Sequence, residues 1–200
     1  MTTQKQQVEE LLREHGTTYA QDAGITLRDK PAPLYQLLVL TTLASARISA
    51  DIAVATAREL FAAGWRTPEK MAGATWQQRV DALGRGGYRR YDESTSTKLE
   101  ESARCVMEEY AGDLRRLPHA GPDDLDDLRN AVAGFPRIGP TGADIFVREV
   151  QDLWPVGPVF DQRALKAAGR LDLPTDPDRL ARLARRGEVA HLAAALVKAA

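Results

Sequence analysis

The apolar residues of this chain recur at helical spacing. Val8, Leu11 and Leu12 share one face of a helix near the start, and Leu128 and Val132 share one near residue 130. No segment alternates apolar and polar residues as a half-buried strand would, and no internal repeat is present. The pattern predicts an all-α fold.

Glycine, proline and capping residues divide this pattern into separate helices. Ser49 is placed to cap one helix and Gly64 to end it, while Thr75 and Gln78 form a capping box that begins another. Residues 84–91, rich in glycine and arginine, are predicted as a loop. Helices are predicted at residues 34–46, 51–63, 97–110, 122–133, 140–152, 161–171, 176–186 and 188–200.

The most distinctive segment runs from residue 128 to residue 161. It predicts a helix, a tight apolar hairpin, a second helix, and then a Gly/Pro loop that ends at Asp161. Gly134 stands where a helix end favours a left-handed residue, Gly139 lets the backbone approach a ligand, and Pro140 suits a first helical turn. Such a hairpin can turn backbone N–H groups toward a phosphate. The alternative is an ordinary helix–turn–helix corner without a ligand.

This order of elements resembles the helix-hairpin-helix/GPD superfamily of base-excision DNA glycosylases, whose members include endonuclease III-like enzymes. The resemblance implies two helical lobes with a DNA cleft between them. It assigns a six-helix barrel-like lobe to residues 33–150, with the hairpin at 128–146, and a second helical lobe to residues 1–32 plus 151–200. It rests on the hairpin and on Asp161, because the rest of the chain has little identity to the family.

The function that this resemblance implies is that of a monofunctional DNA glycosylase. Such an enzyme flips a damaged or mispaired base out of duplex DNA and hydrolyses its N-glycosidic bond. Asp161 would be the catalytic carboxylate, which stabilises an oxocarbenium-like sugar or activates water. The alternative role for Asp161 is that of a helix N-cap. No local motif identifies the lesion.

The resemblance places DNA-backbone contacts on the hairpin, at residues Arg137, Ile138, Gly139, Thr141 and Gly142. The chain departs from the family pattern at two of them. Arg137 stands where the family has glycine, so it either adopts a strained backbone or changes the turn, and it could itself reach a phosphate. Thr141 stands where lyase-type members carry a catalytic lysine.

Three further residues are candidates for contact with the flipped base or the gap that it leaves. Arg47 lies close to where relatives place a residue that fills the gap, although it could equally be an exposed arginine at a helix end. Tyr88 and Tyr91 could stack on the base or pack in the core.

Two other functions stay open. An abasic-site lyase or endonuclease would need Lys98 or Lys166 to replace the missing amine, and Thr141 disfavours it. A non-catalytic helix-hairpin-helix protein would bind DNA without turnover, and Asp161 disfavours that.

Composition limits the cofactors and the compartment. One cysteine excludes internal disulfides and a four-cysteine iron–sulfur cluster, and the histidines lack ligand spacing, so we expect no cofactor and no metal. The net charge of −1 is unlike that of a general nucleic-acid coat protein. No segment reaches transmembrane length and residues 1–6 lack signal-peptide character, so we expect a cytoplasmic, nucleoid-associated bacterial monomer acting on lesion-containing duplex DNA.

Overall fold

The regular secondary structure of the chain is helical wherever the structure describes it. The computed structural model describes residues 3–119 and 121–200, and over these residues it contains no strand, which confirms the predicted all-α fold. The α-helices are α1 (Gln4–His15), α2 (Tyr19–Asp22), α3 (Pro31–Ala44), α4 (Ala50–Ala62), α5 (Pro68–Gly73), α6 (Trp76–Arg85), α7 (Asp92–Tyr110), α8 (Leu125–Ala133), α9 (Gly139–Val150), α10 (Gln162–Arg170), α11 (Pro177–Ala181) and α12 (Val189–Lys198), with short 3₁₀ turns at Leu114–Arg116 and Pro122–Asp124.

The chain folds as two compact units, each with its own core. Unit 1 consists of Met1–Tyr19, His119–Leu125 and Val147–Ala200, and unit 2 of Ala20–Pro118 and Asp126–Phe146. This division differs from the predicted lobes at residues 20–32, 119–125 and 147–150.

One hydrogen bond shows why the segment after Tyr19 belongs to unit 2. The Nε of Arg58, on α4, donates to the backbone carbonyl of Asp22 at 2.6 Å, and Ala23 and Ile25 are buried. The segment is therefore tied to unit 2 by packing that no local pattern in the sequence indicates.

In unit 1, α12 packs against both α1 and α10. Apolar residues at helical spacing meet there, among them Val8, Leu11, Ala164, Leu192 and Leu196. Burial of this kind contributes roughly 25 cal/mol per Å² of apolar surface, so the amphipathic pattern of these helices is satisfied by their mutual packing.

In unit 2, α3 is buried along nearly its whole length and packs against α4 and α7. The fully buried Arg79 of α6 is a second structural centre, because its guanidinium donates to the carbonyls of Met71 and Ala74 at 3.0 and 2.7 Å. The same guanidinium pairs with Glu100 of α7. A buried charge requires such partners, and these tie α5, α6 and α7 together.

The predicted loop at 84–91 is shorter in the structure. Helix α6 continues to Arg85, and α7 begins at Asp92, ahead of the predicted start at residue 97. Asp92 and Glu93 in the first turn suit the positive end of the helix dipole, which the apolar spacing alone does not reveal. Among the described residues, no helix is long and apolar enough to span a membrane.

Candidate functional site

The hairpin between α8 and α9 is built around two buried apolar side chains. Phe135 and Ile138 are 3% and 4% exposed. The N–H of Ile138 donates to the Phe135 carbonyl at 3.1 Å, which closes the turn. Both side chains therefore hold the hairpin to unit 2, and Ile138 has neither an exposed side chain nor a free N–H to offer DNA.

The backbone of this turn agrees with one of the two alternatives given for Arg137 and differs from the prediction for Gly134. Arg137 and Gly139 have φ values of 70° and 61°. Gly134 is absent from the left-handed region, so the prediction made for it is wrong: its N–H donates to the Asn130 carbonyl and continues the helical turn. The first left-handed residue comes three positions later, at Arg137.

The N-terminus of α9 presents backbone N–H groups next to an open surface. Gly139 and Thr141 lie in its first turn, where N–H groups have no acceptor within the helix. A side chain built on Gly139 would meet no atom within 4 Å, and Thr141 is exposed. This arrangement suits an anion, because the helix dipole adds to the hydrogen bonds.

Gly142 brings α9 into direct contact with the end of α3. A Cβ on Gly142 would overlap the hydroxyl of Ser45 and lie 2.7 Å from Cγ2 of Ile138. Arg47 follows Ser45 closely in the connection to α4, where it is exposed. Unit 2 therefore brings the connection that carries Arg47 next to the hairpin, which the sequence positions alone do not require.

The side chain of Arg137 is directed toward the start of α7. Its Nη1 donates to the Ser94 hydroxyl at 3.3 Å, and its guanidinium lies 5.1 Å from the centroid of the Tyr91 ring. Its Nε is buried without a hydrogen-bond partner among the residues described. That Arg137 contacts a phosphate stays a prediction. To do so, its guanidinium would have to give up the contacts with Ser94 and Tyr91.

The two tyrosines predicted for a base pocket lie in different surroundings. Tyr88 is 1% exposed and donates to the Leu43 carbonyl at 3.2 Å, so it occupies the core. Burial raises the pKa of Tyr88, an effect that Thr95 and Arg137 partly offset. Tyr91 is only half-buried, with Arg90 and Arg137 both near its ring. Packing thus accounts for Tyr88, while a role for Tyr91 in base stacking stays a prediction.

Asp161 in unit 1 caps a helix and is also ion-paired. One carboxylate oxygen, Oδ1, accepts the N–H of Ala164 at 2.8 Å, so Asp161 is the N-cap of α10. The other, Oδ2, accepts from Nη1 of Arg148 at 2.7 Å. The carboxylate thus has both oxygens held, yet 19% of its side chain stays exposed.

Arg148 is a residue that the sequence reasoning missed. It lies on α9 and its side chain is only 3% exposed. The available signal was a basic residue within the apolar stripe formed by Phe146, Val147 and Val150, because an arginine at a buried helical position requires a partner.

The loop that leads to Asp161 is fixed by one glutamine. The Nε2 of Gln151 donates to the carbonyls of Arg148 and Val159 at 2.9 and 3.0 Å, and its Oε1 accepts the N–H of Val159 at 2.7 Å. Gly157 has a φ of 87°, which permits the bend before this point. The backbone just ahead of Asp161 is therefore attached to α9.

The two lysines considered as substitute nucleophiles differ in availability. Lys98 on α7 pairs with Glu101 at 2.6 Å. Lys166 lies exposed on α10, five residues after Asp161. Neither stands at the position of Thr141.

Metal sites are not found in the described part of the chain. Over residues 3–119 and 121–200, no group of three or more His, Cys, Asp or Glu side chains could hold a metal ion. An iron–sulfur cluster of the kind that many superfamily members carry needs several thiolate ligands, and the sequence contains one cysteine, so the residues do not fit that group.

Comparison with known proteins shows the fold. Neither a protein-family model nor a curated protein sequence matches the chain. A non-covalent endonuclease III–DNA complex matches it with a TM-score of 0.56 and 16% identity, covering 98% of this chain and 85% of that one. A trapped endonuclease III–DNA covalent intermediate, an estranged-adenine complex, matches over the same shares with a TM-score of 0.52 and 16% identity.

A third solved structure gives the same result. A thermostable thymine-DNA glycosylase matches with a TM-score of 0.56 and 14% identity, covering 95% of this chain and 86% of that one. The chain therefore has the helical fold that the resemblance to the helix-hairpin-helix/GPD superfamily predicted.

Proposed function

We propose that this chain is a DNA glycosylase that hydrolyses the N-glycosidic bond of a damaged or mispaired base in duplex DNA and stops at the abasic site. The observation that supports this most directly is Asp161, a carboxylate held by Ala164 and Arg148 and still partly exposed. It occurs in a fold shared with endonuclease III, solved with DNA, and with a thymine-DNA glycosylase.

The chemistry follows from the charge that develops as the bond breaks. Departure of the base leaves an oxocarbenium-like sugar, which a fixed carboxylate stabilises without having to reorganise. Asp161 can also accept a proton from the water that attacks the sugar. Both roles require a carboxylate, which an amide cannot replace.

Contact with the duplex is assigned to the hairpin. The N–H groups of Gly139 and Thr141 would bind a phosphate, which fixes the position of the strand without reading its sequence. Arg47, exposed near the hairpin, would fill the gap that the flipped base leaves. The partner is duplex DNA with a base lesion, bound by a monomer.

The absence of an amine at residue 141 supports hydrolysis over lyase chemistry. A threonine hydroxyl cannot form a Schiff base with an abasic sugar. A lyase with Lys166 as nucleophile is the second candidate, because that amine is exposed and follows Asp161 by little more than one helical turn.

The test is a panel of duplexes, each with one defined lesion or mismatch, treated with and without hot alkali. We expect the wild-type protein to release one class of base, strand cleavage only after alkali, and no borohydride-trapped adduct. Asp161→Asn should abolish release and retain duplex binding. Asp176→Asn is the matched control, because Asp176 caps α11 by accepting from Arg179 N–H at 2.9 Å.

Each alternative has its own result in this assay. A trapped adduct that disappears in Lys166→Met would establish the lyase. Duplex binding without base release from any lesion would indicate a DNA-binding protein without turnover. Full activity in Asp161→Asn would exclude the proposed mechanism.

A further inference from the structure

Burying Arg148 beside Asp161 costs folding free energy that an ordinary helix N-cap does not require. The guanidinium of Arg148 is almost completely buried, and its Nε has no hydrogen-bond partner among the described residues. An unsatisfied buried donor destabilises the fold, and a buried ion pair stabilises it little in return. Helix α10 would be capped by Asp161 without Arg148, since the Ala164 N–H satisfies that role. Folding stability alone does not explain this arginine.

An aromatic ring holds the guanidinium in place from another side. The ring of Tyr19 lies 5.3 Å from the guanidinium carbon of Arg148, within the range of a cation–π contact. The ammonium of Lys198 lies 5.1 Å from the centroid of the same ring, and it donates to the Thr17 carbonyl at 2.6 Å. Tyr19 is therefore itself fixed against the end of α12.

A second carboxylate, that of Glu149, also lies near the guanidinium of Arg148. Nη2 of Arg148 lies 3.9 Å from Oε1 of Glu149, whose side chain is fully buried. Two carboxylates thus share one guanidinium. Arg148 thus holds Oδ2 of Asp161 by a hydrogen bond while 19% of the Asp161 side chain stays exposed.

We infer that Arg148, backed by Tyr19, is a positioning residue that holds the Asp161 carboxylate in one orientation for base release. This inference rests on the proposed function. The planar guanidinium gives directional hydrogen bonds that a lysine ammonium lacks. Together with the Ala164 N–H, it removes the rotational freedom of the carboxylate before DNA binds. A catalytic group displaced by about 1 Å can lose on the order of 100-fold in rate.

The experiment compares Arg148→Met, Arg148→Lys, Tyr19→Leu and Tyr19→Phe in single-turnover base release and in duplex binding. We expect Arg148→Met to lower the single-turnover rate about 10- to 100-fold with little change in duplex affinity. Arg148→Lys should recover part of the rate, and Tyr19→Phe, which keeps the ring, should recover nearly all that Tyr19→Leu loses. Arg185→Met is the control, because Arg185 is exposed and pairs only loosely with Glu9, at 3.7 Å.

A second measurement does not depend on activity. The amide exchange rate of Ala164, followed by NMR, reports whether Oδ1 of Asp161 still accepts its N–H. It should rise severalfold in Arg148→Met and stay unchanged in Arg185→Met. If Arg148→Met does not fold, Arg148→Lys and Tyr19→Leu provide the same comparison in milder form.

The outcomes separate this inference from the proposed function. Full activity and unchanged Ala164 exchange in the folded Arg148 and Tyr19 variants would overturn the inference and leave the proposed function standing. If the wild-type protein releases no base, the proposed function fails. In that case the amide exchange of Ala164 alone tests whether Arg148 fixes the carboxylate. Faster exchange in Arg148→Met supports this role, and unchanged exchange overturns it.

Discussion

Arg137 and Gly139 lie two residues apart in the hairpin, and both have a left-handed backbone, with φ of 70° and 61°. Gly139 adopts this conformation without strain. For a residue with a Cβ, such as Arg137, the same conformation costs about 1 kcal/mol of free energy. The contacts of Arg137 with Ser94 and Tyr91 offset that strain. The hairpin therefore keeps a backbone conformation that favours glycine at position 137, although this residue is an arginine.

This relationship predicts that Arg137→Gly will be more stable than Arg137→Ala. Both substitutions remove the contacts with Ser94 and Tyr91, so their difference reports the backbone alone. We expect the free energy of unfolding of the glycine variant to be higher by about 1 kcal/mol. Urea denaturation followed by circular dichroism measures it. Equal stabilities would mean that residue 137 leaves the left-handed region once its side chain is removed.

The features that could be predicted from the sequence are those encoded by neighbouring residues. Helical spacing predicted the all-α fold, and the order of hairpin, Gly/Pro loop and Asp161 indicated the helix-hairpin-helix/GPD superfamily, in agreement with the matches to endonuclease III and thymine-DNA glycosylase structures. The N-cap that Asp161 makes on α10 was open as an alternative, and the structure contains it. Each of these features can be recognised from one continuous stretch of sequence.

The features that escaped prediction depend on residues distant in sequence. Arg148 and Asp161 are 13 positions apart, across a loop whose course is determined by Gln151. Tyr88 is buried, and its hydroxyl donates to the carbonyl of Leu43, which lies 45 positions away. Helical periodicity does not encode such contacts, so a tyrosine that packs in the core could not be distinguished from one that stacks on a base.

The contact between Gly142 and Ser45 predicts that Gly142→Ala destabilises the protein. The added Cβ would overlap the Ser45 hydroxyl and crowd Ile138, so α9 must move away from the end of α3. We expect the free energy of unfolding to fall by about 1–3 kcal/mol, the usual cost of overpacking. DNA binding through the hairpin should weaken in parallel, as a salt-dependent titration with duplex DNA would show.

A second glycine provides the control for this substitution. Gly84 lies within α6, and a Cβ there would meet no atom within 4 Å. Gly84→Ala should therefore raise the free energy of unfolding by about 0.5–1 kcal/mol, because alanine loses less backbone entropy in a helix. If Gly142→Ala also stabilised the protein, this would contradict the close contact between Gly142 and Ser45.

Cys105 is predicted to be an unreactive thiol at neutral pH. Burial raises its pKa to about 11, and the neighbouring Glu109 and Glu108 add to the effect. Because this pKa lies far above 7.5, the fraction of thiolate, which is the nucleophilic form, is on the order of 0.1% or less at pH 7.5. Alkylation by iodoacetamide should be slow in the folded protein and accelerate up to about pH 11. The denatured protein is the control and should react at the rate of an ordinary thiol.

Removal of Asp161 is predicted to destabilise the fold through the arginine that it leaves behind. Asp161→Asn preserves the cap on α10, because asparagine is a good N-cap, but it leaves the buried Arg148 without that carboxylate. We expect the free energy of unfolding to fall by about 3 kcal/mol. The double variant Asp161→Asn with Arg148→Met should regain a good part of this loss, since the buried guanidinium that would lack the Asp161 carboxylate is then absent. Asp176→Asn, an exposed cap without an ion pair in the described structure, should lose about 1 kcal/mol at most. Thermal denaturation of the wild type, Asp161→Asn, Arg148→Met and the double variant gives the coupling energy between residues 148 and 161. Additive losses would show that the two side chains do not interact in solution as they do in this structure.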